Sequence, residues 1–250
     1  MQAYLTLIRR ELGAHFYSWT GYVVIACVVF LLGFSFNALI VALNSEPTDR
    51  PVTEVFFSSY YFWLIILIAA PIITMRSFAH EKNSGTFETL MTAPVSDLQV
   101  VLAKFTGAMV FYVLMWLPLL GCLLIIRYYS AAGMQLDPET VATAFLGIIL
   151  LGCLYTSLGC LASALTKSQI IAAIVSIAAG IALLVVSFIA MTFSTQSGFT
   201  SQLFTHLGLI DHMKDFARGI VDTRPLVLYL SLTALFLFLT HKAVESRRWK

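Results

Sequence analysis

Six long apolar segments divide this chain, and none of them carries an Asp, Glu, Lys, Arg or His well inside it. Each has the roughly 17–25 residues that a helix needs to cross the hydrocarbon core of a bilayer. A backbone in lipid must satisfy its own hydrogen bonds, so such segments form helices. The sequence therefore predicts an all-α polytopic membrane protein with six transmembrane helices, at residues 20–43, 58–75, 105–126, 142–165, 169–193 and 225–242.

The composition agrees with lipid as the solvent of this chain. The sequence is 59% hydrophobic and 11% charged, with a mean hydropathy of +0.88, whereas soluble domains carry roughly 25% charged residues. A net charge of +2 gives no basis for nucleic-acid binding. The four cysteines all fall in apolar segments without metal-ligand spacing, so we expect neither disulfides nor a metal site.

The basic residues between the spans predict the orientation. With the N-terminus inside, ten Lys and Arg residues fall on the inner side and five on the outer side, which satisfies the positive-inside rule. The inner set is Arg9, Arg10, Arg76, Lys82, Lys104, Lys167, Lys242, Arg247, Arg248 and Lys250, and the outer set is Arg50, Arg127, Lys214, Arg218 and Arg224. Both termini are then predicted to be cytoplasmic.

The residues before the first span, 1–19, predict an amphipathic helix in the membrane surface. Its apolar members recur at spacings of three and four and share one helical face: Leu5, Ile8, Leu12, Phe16 and Trp19. Arg9, Arg10 and Glu11 lie away from the centre of that face.

The outer segment 194–224 is too long for a simple turn and contains recurring apolar residues. These predict short amphipathic or re-entrant helices before the last span. A loop resting on the outer ends of the spans is the alternative.

Span four carries four small residues on one helical face, Gly152, Thr156, Gly159 and Ser163. Small residues let helix backbones approach closely. They predict packing of span four on span five, with a contact between two copies of the chain as the alternative.

The polar loop 76–104 between spans two and three contains residues that break and start helices at defined positions. Gly85 tolerates left-handed dihedral angles and interrupts a first helical stretch. Thr86–Thr92 predicts a short helix that ends before Pro94. Ser96 and Gln99 then form a capping box, which starts the helix leading into span three.

The short helix has a polar side and an apolar side. Glu81, Lys82, Glu88 and Thr89 are available to a soluble partner, while Phe87 and Leu90 anchor the helix. The alternative is an ordinary surface helix on the lipid headgroups.

Motifs for catalysis are absent from the sequence. It contains no GxxxxGK[ST] phosphate loop, so we expect no nucleotide site in this chain. The second His of a zinc-binding HExxH is replaced by Ser84, and Ser35 has neither a GxSxG setting nor a His partner within the spans. The lack of ionisable groups in the spans also argues against proton-driven transport.

The loop resembles a known family. Residues 78–105, FAHEKNSGTFETLMTAPVSDLQVVLAKF, are similar to the segment of ABC-2 type transporter permeases that contains E-[KR]-x-x-G-T-x-E-x-L. The matching positions are Glu81, Lys82, Gly85, Thr86, Glu88, Leu90, Pro94, Val95, Ser96 and Lys104. The last span and tail also resemble this family, and ARGIVDTRPLVLYL at 217–230 resembles its gliding-motility branch.

The resemblance implies one permease domain over 1–250 in the cytoplasmic membrane of a prokaryote, and no nucleotide-binding domain of its own. Two copies of a separate ATP-binding subunit would bind ATP and Mg, under two copies of this permease or a pair of related permeases. The Thr86–Thr92 helix would be the coupling helix, with Glu81 and Glu88 meeting basic groups of the ATPase. Residues 1–19, with Arg9, Arg10 and Glu11, would be the interface helix. No enzymatic activity is expected in this chain.

Two other functions stay open at this point. One is a similar assembly that transmits force to an envelope process with a periplasmic or membrane accessory protein. The other is an unrelated secondary transporter or membrane enzyme. The apolar spans give no chemical mark by which a substrate pocket could be assigned.

Overall fold

The computed structural model describes residues 2–45, 51–87, 95–129, 137–193 and 206–246. These ranges contain α-helices and turns but no strand. The helices are α1 (Gln2–Phe16), α2 (Trp19–Ser45), α3 (Val52–Phe57), α4 (Tyr60–Thr74), α5 (Ala79–Ser84), α6 (Asp97–Tyr129), α7 (Pro138–Leu165), α8 (Gln169–Phe193), α9 (Leu209–Ala217) and α10 (Thr223–Glu245).

The predicted six-span, all-helical architecture is confirmed. Within the described ranges, six helical stretches are long and apolar enough to cross a membrane: α2, α4 continuing through α5, α6, α7, α8 and α10. Helix α7 is the central one, since it packs against α4, α6, α8, α9 and α10. Of its apolar stretch 72% is buried, against 28% for α2 and 22% for α10. The peripheral helices therefore present apolar surface to lipid.

Large aromatic side chains fill the centre of the bundle. Phe62 on α4 packs against Trp116 on α6, with ring centroids 5.5 Å apart, and both side chains are fully buried. Tyr112 and Tyr155 belong to the same cluster. Because helices in lipid associate by close packing and not by exclusion of water, this interlocking of rings holds α4, α6 and α7 together.

The small residues of α7 contact more than one helix. A Cβ added to Gly152 would lie 2.3 Å from the ring of Tyr112 on α6, and one added to Gly159 would lie 2.0 Å from Thr74 Oγ1 on α4. The second of these would also lie 3.2 Å from Ser176 on α8. The predicted packing of span four on span five thus holds near Gly159, whereas Gly152 faces α6. The face that a small residue presents is set by the tertiary arrangement, which the helical period does not encode.

Two short helices lie on the side of the molecule away from α1. Helix α9 packs on α7, α8 and α3 and buries an apolar face that includes Met213 and Phe216. Arg218, which follows α9, makes a bidentate ion pair with Glu54 of α3, at 2.7 and 2.9 Å. Helix α3 is not predicted by the sequence pattern. Of the predicted outer segment, residues 194–205 lie outside the described residues.

Helix α1 runs against the first part of α6. The Tyr4 hydroxyl lies 2.9 Å from Thr106 Oγ1, and a Cβ added to Gly107 would lie 2.9 Å from the Cβ of Glu11. Glu11 is 9% exposed, whereas Leu5 and Trp19 of the predicted apolar face are largely exposed. Glu11, which the sequence places away from the centre of the apolar face, is therefore packed against a helix and not exposed to solvent. Glu11 faces α6 because its partner, Lys104, is there.

Candidate functional site

Four charged side chains meet where the loop between spans two and three joins the bundle. We name this group the charged junction: Arg10 and Glu11 of α1, Glu81 of α5 and Lys104 of α6. The Lys104 ammonium lies 2.9 Å from Glu11 Oε1 and 2.8 Å from Glu81 Oε1. Arg10 Nη2 lies 3.2 Å from Glu11 Oε1 and 2.9 Å from Glu81 Oε1. Two cations and two carboxylates thus connect three helices.

The charged junction is mostly buried. The Lys104 side chain is 2% exposed, and those of Glu11 and Glu81 are 11% and 15% exposed. The Lys104 ammonium also lies over the ring of Phe78, 5.3 Å from its centroid. A buried ammonium is costly unless it is paired and hydrogen-bonded, and here two carboxylates and an aromatic face surround it.

The surroundings of Glu11 favour its charged form. Burial raises the pKa of the Glu11 carboxyl, but the attraction and hydrogen bonds of Lys104 and Arg10 together outweigh that effect and hold its pKa below the ordinary value. The carboxylate is therefore ionised at neutral pH, as the pairing with Lys104 requires. The other oxygen of the neighbouring carboxylate, Glu81 Oε2, is buried without a hydrogen-bond partner among the described residues.

Ser163 of α7 fixes the turn between α4 and α5. Its Oγ accepts hydrogen bonds from the backbone N–H groups of Phe78 and Ala79, each at 3.0 Å, and donates to the carbonyl of Met75, also at 3.0 Å. The first N–H groups of a helix have no partner within that helix. A side chain from a neighbouring span supplies the cap for α5, so the start of α5 is fixed to α7.

Lys82 and His80 make the remaining contacts of α5. The Lys82 ammonium donates to the carbonyl of Ala164 at the C-terminal end of α7, where a helix leaves carbonyl groups unsatisfied. It also lies over the ring of Phe87, 5.4 Å from the centroid. His80 Nδ1 lies 2.9 Å from Gln169 Nε2 at the start of α8. Helix α5 is thereby connected to α1, α6, α7 and α8.

Two of the features predicted for the loop, the break at Gly85 and the capping box, are present in the structure, while residues 88–94 lie outside the described residues. Gly85 ends α5 with φ +75°, in the left-handed region that favours glycine. Gln99 N–H donates to Ser96 Oγ at 3.3 Å, and Ser96 N–H donates to Gln99 Oε1 at 3.2 Å. This is the reciprocal capping box, and α6 begins at the following residue, Asp97.

Some of the predicted coupling residues are placed and others are not. Thr86 and Phe87 are helical, and Phe87 is buried in a small apolar cluster with Phe78, Val101 and Val244. Glu88, Thr89 and Leu90 lie outside the described residues. The carboxylate of Glu81 is directed into the charged junction, Lys82 contacts α7, and Arg9 is exposed.

Sequence reasoning missed the roles of Ser163 and of Lys104. Ser163 was grouped with small packing residues, although its hydroxyl fixes the start of α5. Lys104 was one position of a motif with no assigned contact. The one available signal was its charge, at the end of a polar loop and directly before an apolar span.

The described residues contain no group of three or more His, Cys, Asp or Glu side chains that could hold a metal ion. The arrangement at the loop is one of ion pairs and caps, which can transmit displacement between helices.

A comparison with protein families decides what kind of protein this is. The model of a family described as ABC-2 family transporter protein matches residues 34–210, which is more than half of the chain. This chain belongs to the ABC-2 transporter family. The match runs from within α2 to the start of α9. It includes the whole loop 76–104 between spans two and three, with Glu81, Lys82 and Lys104. It names no branch, so the resemblance to gliding-motility permeases is not supported. No curated protein matches the chain.

Membership of the ABC-2 family has direct consequences for this chain. It is a multi-pass membrane protein and a component of a membrane transport system, and the ABC-2 domain is not itself catalytic. The family also implies an ABC ATP-binding partner.

Proposed function

We propose that this chain is the permease subunit of an ABC exporter. It couples ATP hydrolysis by a separate ATPase subunit, present in two copies, to export across the cytoplasmic membrane. Two copies of the permease, or this chain and a related permease, form the transport path. Family membership supports the assignment, and the firm attachment of the loop to the bundle is the observation that carries the mechanism.

The coupling contact is the short helix that the sequence predicts over Thr86–Thr92, with Glu88, Thr89 and Leu90. This helix meets the ATPase, with Glu88 opposite basic groups of the partner. It follows α5 directly, across the single left-handed residue Gly85. A push on it therefore reaches α5, whose two ends are fixed to other helices.

The displacement passes from α5 into the spans by two routes. One route runs through Glu81 and Lys104 to α6, and through Glu11 to α1. The other runs through Ser163 and Lys82 to the C-terminal part of α7. Since α6 and α7 belong to the same packed core as α4, a rigid tilt of these helices follows from a small movement of the loop.

The distribution of Lys and Arg along the chain supports the orientation that we propose. The loop, α1 and both termini are cytoplasmic, as the excess of Lys and Arg on that side favours. The spans contain no Asp, Glu, Lys, Arg or His well inside them, which supports energy for transport that reaches them mechanically, through the loop.

The test is reconstitution of the tagged permease with the ATPase that co-purifies with it in mild detergent. We expect ATP hydrolysis that depends on the complex, and loss of the complex in Glu88→Arg. Glu139→Arg is the matched control, because Glu139 is an exposed carboxylate at the start of α7. Transport by vesicles that contain the purified chain alone, without any ATP-hydrolysing subunit, would overturn the proposal.

A further inference from the structure

A charged cavity and an apolar groove adjoin each other beside α1. The cavity, of about 450 Å³, lies between α1, α2, α4, α5 and α6 and is lined by the charged junction together with Arg76 and His15. The groove, of about 260 Å³, lies between α2 and α4. Thr20, Val24 and Ile72 line both, so the cavity and the groove are adjacent, and we call the two together the depression.

The cavity has an excess of positive charge, and Arg76 carries it. Arg10 and Lys104 are paired with Glu11 and Glu81, which leaves one cation over. The Arg76 guanidinium donates to Thr20 Oγ1 at 2.8 Å and Ser18 Oγ at 3.1 Å, and no carboxylate of the described residues contacts it. Its remaining N–H groups are available to an anion, and a guanidinium suits the oxygens of a phosphate.

The groove has the dimensions of one bilayer leaflet. Its lining on α2 runs from Trp19 to Leu31, a distance of about 18 Å at the helical rise. Half of the hydrocarbon core is about 15 Å. Apart from Thr20, its side chains are apolar, and they include Cys27 and Ile68. Trp19, which is 88% exposed, stands at the charged end, the level at which Trp side chains accumulate in membranes.

We propose that this depression is a site for one phospholipid of the leaflet on the α1 side, with its phosphate on Arg76 and one acyl chain between α2 and α4. The charge, the depth and the position of Trp19 all match a molecule with an anionic head and an apolar tail. A soluble phosphate would leave the groove unused, and a neutral lipid would leave Arg76 without an anion. Under the orientation proposed above, this is the cytoplasmic leaflet.

The test is native mass spectrometry of the full chain in mild detergent, titrated with palmitoyl-oleoyl phosphatidylglycerol. It uses the permease alone, so its outcome is independent of coupling to an ATPase. We expect one lipid per chain that binds more tightly than the rest. Arg76→Gln should weaken this binding at least about tenfold, which is the effect of losing charge-assisted hydrogen bonds. Arg76→Lys, which keeps the charge, should retain most of it.

A second variant tests the groove without touching the charge. Val23→Trp fills the groove from an exposed position, and we expect the tight lipid to be lost. Val29→Trp is the matched control, since Val29 is an exposed residue of the same helix that does not line the groove. Its lipid binding should equal that of the wild type.

Two further probes test whether the site needs both the phosphate and the acyl chains of one lipid molecule. We expect palmitoyl-oleoyl glycerol, which lacks the phosphate, to bind at least about tenfold more weakly, and inorganic phosphate not to displace the lipid. The proposal is overturned if inorganic phosphate displaces the lipid or if palmitoyl-oleoyl glycerol binds equally well. It is overturned as well if Arg76→Gln and Val23→Trp both bind the lipid like the wild type. It is also overturned if Val23→Trp changes only the oligomeric state, because the groove is then covered by a second copy of the chain.

Discussion

Lys104 and Glu11 stand 93 residues apart in the chain, and their charged atoms lie 2.9 Å apart. This contact joins the N-terminal helix to the beginning of α6. Glu81 brings α5 to the same ammonium group at 2.8 Å. A single lysine thus connects the first helix, the loop and a membrane span, and these three parts meet at the charged junction.

Replacement of Lys104 by methionine should strongly destabilise the protein. The variant leaves two mostly buried carboxylates with only the half-exposed Arg10 as their cation, and removing one partner of a buried ion pair costs about 3–5 kcal/mol. Thermal unfolding in mild detergent measures the effect. Lys214→Met is the control, since it breaks a partly exposed pair with Asp211 and should cost about 1 kcal/mol or less. Equal losses in the two variants would contradict a structural role for the charged junction.

The pH dependence of stability should report on Glu11. Its pKa is lower in the folded protein than the ordinary value of 4.5. The contribution of ionised Glu11 to the folding stability is therefore complete above pH 4.5, and it is lost as the pH falls through the folded-state pKa. Glu11→Gln should remove this part of the acid-induced loss in unfolding temperature between neutral and acidic pH. Glu139→Gln, at an exposed carboxylate, should leave the profile unchanged. A wild-type profile in Glu11→Gln would sink the prediction.

Ser163→Ala should loosen the start of α5. The change leaves the buried N–H groups of Phe78 and Ala79 without their acceptor, which costs about 1–3 kcal/mol. Hydrogen exchange of these two amides should become faster than in the wild type. Ser231→Ala should change neither stability nor exchange at these amides, because the exposed Ser231 hydroxyl donates only within its own helix. Unaltered protection of both amides in Ser163→Ala would show that another group caps α5.

The close approach of α7 to α6 should make Gly152 intolerant of a side chain. A Cβ there would lie 2.3 Å from the Tyr112 ring, which is fully buried and cannot move freely. Gly152→Ala should lower the free energy of unfolding by about 1–3 kcal/mol. Gly121→Ala, on α6, places its Cβ in open space and should be neutral or slightly stabilising. Thermal unfolding in detergent compares the two variants. If Gly152→Ala is as stable as Gly121→Ala, α6 and α7 do not approach closely at this point.

Local features of the loop are predictable from the sequence because they depend on neighbouring residues. The capping box of Ser96 and Gln99 and the left-handed Gly85 each involve positions at most three apart. The six spans are predictable for a related reason, since length and hydropathy are properties of a continuous stretch. Helix α3 was missed because six residues are too few to show a period.

The contacts of the candidate site depend on partners that are distant in the sequence. Glu11 looks like a polar surface residue until α6 supplies Lys104, and Ser163 looks like a packing residue until the turn after α4 supplies two N–H groups. In each case the side-chain type was known but its environment was not. A pattern of charges along one helix does not say which of them will be buried.

The distance in sequence between Glu11 and Lys104 also sets an order of events during synthesis. The ribosome makes α1 before it makes Lys104, and 93 residues take roughly 5–20 s at about 5–20 residues per second. During that interval Glu11 has its neighbour Arg10 but not the lysine that joins α1 to α6. The pair forms only when Lys104 emerges at the start of the third span, so α1 is made well before its ion pair with α6 can form.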